Sequence, residues 1–178
     1  MFRKLVAITA ATLALSQPVF AGDYLEASVG YFDATQRDNP ATQYGIGYRY
    51  DDIFHGLRPG TGFLATSDGA MYGYAGFYWD VPLTSSLLIV PNVVAGGYSK
   101  GSDGKDLGHG IEFRSGIEVD YQFETGTRMG LAFNHLSNAG LGDDNPGTEV
   151  LMLVLQHPLQ WFGEKPKKQR WWDKNRGY

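Results

Sequence analysis

The chain has 178 residues, enough for one domain and too few for two comfortable ones. A formal net charge of −4 at pH 7 argues against a nucleic-acid partner, and the absence of cysteine removes disulfides, thiolate catalysis and Cys-based metal sites. With 24 Gly, 10 Phe, 4 Trp and 11 Tyr, it is poor material for helices and good material for strands joined by tight turns.

The first segment, Met1-Phe2-Arg3-Lys4, is basic, and an apolar run follows from Leu5 to Leu15. Val19 and Ala21 then fit the pattern read before a cleavage site, so residues 1–21 are expected to be a secretory signal. The competing reading, a retained membrane anchor, needs an apolar run long enough to span a bilayer, and this one is too short.

Eight strands are predicted from there on: 24–32, 42–50, 57–66, 70–79, 86–97, 110–122, 126–137 and 148–159. The clearest is the sixth, where Ile111, Phe113, Ser115, Ile117, Val119 and Tyr121 alternate with Glu112, Arg114, Gly116, Glu118, Asp120 and Gln122. Period two over that length means one apolar face and one charged face. Connections after the first, fifth and seventh strands are long and polar, and those after the second, fourth and sixth are expected to be shorter. The connection near Ser67-Asp68-Gly69 is short and breaks the trend. Long loops on one rim and short turns on the other is the arrangement of outer-membrane barrels.

Alternation does not by itself say which face looks outward, and a soluble barrel would place its apolar face inside. Two features favour the membrane version. The mixed charge of the sixth strand suits a polar barrel interior, and aromatics crowd near strand ends (Tyr48, Tyr50, Tyr78, Trp79, Tyr98, Tyr121, Phe123) as interface girdles do. The expected fold is therefore all-β, an eight-stranded antiparallel transmembrane β-barrel, exported to the outer membrane and free to form a homodimer. Residues 160–178 carry six Lys or Arg with Trp161, Trp171 and Trp172. They are expected to be a periplasmic tail, solvated or else bound to an anionic partner.

Chemistry concentrates where the seventh strand ends. His135 and Ser137 project to one face two residues apart, and they share parity with Met129, Leu131 and Phe133 on the apolar side. His and Ser on a lipid-facing surface are costly unless they have a purpose or partners. Glu149 opens the next strand on the same face and at the same end. An acid there can hold the histidine tautomer and stabilise the imidazolium, as the third group of a Ser-His-acid triad does. With the N-terminus periplasmic, this end is the extracellular rim.

The run His135-Leu136-Ser137-Asn138-Ala139-Gly140-Leu141, followed by Asn145, Gly147 and Glu149, resembles the signature of the PagL lipid A 3-O-deacylase family. The resemblance spans 22–159, with its discriminating residues in the last third. It implies Ser137 as nucleophile, His135 as general base and Glu149 as its orienter. It also implies Asn145 and the Gly140 backbone amide as oxyanion donors, lipid A of lipopolysaccharide as substrate, and no metal or cofactor. Asn145-Pro146-Gly147 is equally an ordinary turn sequence. The extension beyond Leu159 departs from the family pattern. Two other functions stay open: a non-catalytic structural or adhesion barrel, and a phospholipase or acyltransferase using the same triad.

Overall fold

The computed structural model describes residues 22–159; the expected signal segment and the basic tail lie outside the described residues. Among the described residues nine strands form: β1 (Tyr24–Phe32), β2 (Ala41–Arg49), β3 (Leu57–Thr66), β4 (Met71–Trp79), β5 (Val81–Pro82), β6 (Leu87–Ser99), β7 (Ile111–Gln122), β8 (Arg128–Ser137) and β9 (Thr148–Pro158). Strand β5 is a two-residue stub inside the β4–β6 connection. The other eight form one antiparallel sheet that closes on itself, β4 pairing with β6 and β1 with β9. Closure leaves these eight strands no free edge. Among the described residues no helix is long and apolar enough to cross a membrane, which says nothing about strands.

The two faces are reversed relative to a water-soluble protein. Leu25, Ile46, Phe63, Val93, Ile117, Leu131 and Leu153 are exposed outward, while Glu26, Arg49, Arg58, Glu118, Asp120, Arg128 and Gln156 are buried inside. Most of the interior charges are held in networks, which offset the cost of burying them, while neither carboxylate oxygen of buried Glu112 has a hydrogen-bond partner among the described residues. Arg49 donates to Glu26 and to Glu118, each at 2.7 Å, and Gln156 donates to the other Glu118 oxygen at 2.6 Å. Asp80 sits between Arg58 at 2.7 Å and Arg128 at 2.9 Å.

The predicted strands fall within two residues of the observed ones. Two expectations need correction. Tyr78 belongs to no interface girdle: its even parity in β4 turns it inward, where the Arg49 guanidinium lies 4.0 Å from its ring centroid and Arg114 donates to its hydroxyl. Trp79, one residue on, is the outward one. Tyr98 likewise has the inward parity of β6, packs against the core and donates its hydroxyl to Lys105 O. The turn between β2 and β3 is shorter than the long loops, as expected. Residues 50–56 fold into a small structure of their own, with a Phe54↔Leu57 bridge and the Gly56 N–H donating to Asp52.

Candidate active site

Strand β8 alternates Arg128, Gly130, Ala132, Asn134 and Leu136 inward with Met129, Leu131, Phe133, His135 and Ser137 outward. Its register with β9 sets His135 directly opposite Glu149. Side chains so placed have Cβ atoms about 5 Å apart, and the pair closes with His135 Nδ1 at 3.0 Å from Glu149 Oε1. A carboxylate can only accept, so the pair places a proton on Nδ1, and in the neutral imidazole this leaves Nε2 with its lone pair. Gly147, just before β9, has φ of 61° and lies against the ring; a Cβ built there would stand 2.9 Å from His135 Cε1.

Ser137 ends β8 on the same face as His135. Among the described residues no hydrogen bond joins its hydroxyl to the imidazole, a contact that in such sites often tightens only with substrate bound. A second serine, Ser115, faces His135 from β7. Its small side chain opens the top of an outward groove of about 460 Å³, lined by Ile117, Leu131, Phe133 and Leu151, with His135 at the upper end.

After Ser137 the chain turns into the loop 138–147, organised by Asn138. This buried side chain donates to Leu107 O at 2.9 Å and to Asp144 O at 2.7 Å, and accepts the Gly140 N–H at 2.8 Å. Its own N–H donates to Asn145 Oδ1 at 3.1 Å. Asn145 and Gly140 thus both reach the end of β8, but each is engaged with Asn138. The amide oxygen of Asn145 is used, which leaves its Nδ2 hydrogens for another acceptor.

Four groups at the site, Thr35, Asp33, Lys105 and Thr148, carry no sequence signal. The hydroxyl of Thr35, from the β1–β2 loop, donates to Glu149 Oε2, the oxygen that His135 does not use. Beneath that loop, buried Asp33 accepts from Lys105 Nζ at 2.6 Å and from Thr148 Oγ1 at 3.0 Å. Burial alone would raise the Asp33 carboxyl. The Asn39 N–H, the Lys105 and Thr148 hydrogen bonds and the Lys105 charge outweigh burial and hold the carboxyl below the usual carboxylate range.

A base with a fixed tautomer, an acid behind it and a hydroxyl on the same face can transfer an acyl group. Set beside solved structures, the chain is similar to the crystal structure of the outer membrane enzyme PagL, with a TM-score of 0.58, 20% identity and coverage of 76% of this chain and 99% of that one. It is also similar to a de novo designed transmembrane β-barrel, with a TM-score of 0.53, 14% identity and coverage of 81% and 98%. At those identities the likeness is one of fold. Among curated proteins no relative matches the sequence. The family model described as Lipid A 3-O-deacylase (PagL) matches residues 43–158, a stretch that contains His135, Ser137, Asn145 and Glu149. Strand pattern, barrel and family match converge, and the chain belongs to the lipid A 3-O-deacylase (PagL) family of hydrolases.

Proposed function

We propose that this barrel stands in the outer membrane with the 138–147 loop at the extracellular rim and hydrolyses the ester-linked 3-O-acyl chain of lipid A in the outer leaflet. The observation that carries the reading is the His135–Glu149 hydrogen bond beside Ser137 on an outward apolar face. Water-soluble substrates have no reason to meet a site there, whereas a lipid ester just below its headgroup lies at that height. The groove beneath His135 receives the acyl chain, and its apolar walls replace bilayer contacts rather than water.

In the proposed reaction Ser137 Oγ attacks the ester carbonyl as its proton passes to His135 Nε2. Glu149 stabilises the imidazolium that forms, without itself taking the proton. The carbonyl oxygen becomes an oxyanion, which Asn145 Nδ2 and the Gly140 N–H stabilise. The Gly140 amide now serves Asn138, a neutral acceptor, and an alkoxide is the stronger competitor for it. Each such donor contributes about 3 kcal/mol to the transition state. Collapse breaks the ester C–O bond, and the sugar oxygen leaves with the proton from Nε2. Water then attacks the acyl-serine with His135 again as base, releasing the fatty acid and restoring Ser137.

The test is mass spectrometry of lipid A after incubation with the refolded parent and with the Ser137→Ala and Ser115→Ala variants, since both serines flank the imidazole. Loss of one hydroxyacyl chain with the parent and Ser115→Ala, but not with Ser137→Ala, is expected. Lipid A left unchanged by a well-folded parent would reject deacylation. Activity lost only in Ser115→Ala would move the nucleophile to β7.

A further inference from the structure

We propose that Thr35 is a positioning residue of this reaction, held in place by a buried clasp between two rim loops; the inference rests on the deacylase reading above. A triad acid must keep its carboxylate plane turned to the imidazole. Glu149 does this at an exposed rim, where its terminal torsion is soft. One hydrogen bond from His135 fixes a single oxygen. The Thr35 hydroxyl takes the other oxygen, so the carboxylate is held at both ends.

Thr35 does not lie on a barrel strand, so the sheet alone does not place it. Its neighbours do. The Ala34 N–H donates to the Glu149 carbonyl at 2.8 Å, which brings the loop alongside the first turn of β9. Asp33, with φ of 58°, turns the chain there and is fully buried. Lys105 reaches across from the β6–β7 loop and donates to Asp33 Oδ1 at 2.6 Å and to Gln36 Oε1 at 2.5 Å. Gln36 in turn donates to Pro146 O at 3.3 Å, in the loop that carries Asn145. The residues on both sides of Thr35 are thus anchored, one to the start of β9 and the other to the catalytic loop.

A bland reading is available: an exposed threonine finds a carboxylate because one is near. Energetics weigh against it. Water would satisfy an exposed hydroxyl equally well, so the contact needs no machinery. Burying the Asp33 and Lys105 charges, by contrast, is costly and is recovered only through geometry. What that geometry delivers is the position of residues 34–36 over Glu149.

The experiment compares initial rates of lipid A deacylation by the parent, Thr35→Val, Thr35→Ala, Thr35→Ser and Lys105→Met, with folding followed by circular dichroism. Thr35→Val keeps the branched shape and removes only the hydroxyl. Its kcat is expected to fall about tenfold with KM within about twofold, because the acid acts on the imidazolium that forms in the transition state. Thr35→Ala should match it, Thr35→Ser should recover most of the rate, and Lys105→Met should lose kcat by releasing the loop. A Thr35→Val enzyme with parental kcat, or a Thr35→Ser enzyme as slow as Thr35→Val, would overturn the assignment while leaving the deacylase reading intact. A parent inactive on lipid A would remove both.

Discussion

Replacing Gly147 by alanine separates two costs, backbone strain and displacement of a neighbouring ring, at the rim that bears the proposed site. Position 147 has φ of 61°, a left-handed conformation that costs an L-residue about 1–2 kcal/mol. The added methyl would also stand 2.9 Å from His135 Cε1 and 3.2 Å from Leu136 O. Carbon atoms rest at about 3.5 Å or more, so the imidazole must retreat by roughly half an ångström. A misplacement of about 1 Å in a reacting group can cost about a hundredfold in rate, which makes about tenfold the expectation here. Gly69→Ala is the control: φ is 92°, and no atom lies within 4 Å of its added Cβ. Both variants should lose comparable stability in equilibrium unfolding, and only Gly147→Ala should lose kcat/KM in the lipid A assay. If the two are equally active, the ring is not located by the missing side chain at 147, and the steric argument fails.

The barrel was legible in the sequence because apolar side chains outside and charged ones inside make period two emphatic. The spans predicted for β1 and β3, 24–32 and 57–66, coincide with the observed strands. Parity alone was also enough to bring His135 and Glu149 to one face, since β8 and β9 are consecutive and their pairing needs only a local connection. What stayed hidden depends on the closure of the barrel. Thr35 meets Glu149 across 114 positions of sequence, and only the β1–β9 seam brings the first loop to the last strand. Lys105 belongs to this category too: in the sequence it is one more loop lysine, and its burial against Asp33 follows from two loops folding over one rim. Tyr78 shows a different limit. Aromatic residues near a strand end suggest an interface, but parity decides, and Tyr78 and Trp79 point opposite ways. Asn138 is legible only as a turn residue, because its three side-chain hydrogen bonds run to carbonyl or amide groups that no motif identifies.

Two further outcomes probe the solvent and the clasp. Leu153 lies outward at the middle of β9 and opposite Leu131. Leu153→Arg should therefore lower stability in lipid vesicles by about 2–4 kcal/mol, as charge at a bilayer midplane does, and equal stability in equilibrium urea unfolding would mean that this face does not meet hydrocarbon. The clasp should respond to acid in a defined direction. The Asp33 carboxyl is held below its ordinary value of 3.8 in the folded protein, so the folded state binds that proton less readily than the unfolded chain does. Its contribution to stability is therefore fully present above pH of about 4 and is lost as pH falls through the lower folded value. Urea unfolding of the parent and of Asp33→Asn from pH 7 to pH 3 should show a constant gap down to about pH 4 that narrows below it, because the variant cannot titrate there. A gap that widens with acid would mean that Lys105 and Thr148 do not hold this carboxylate in its charged form.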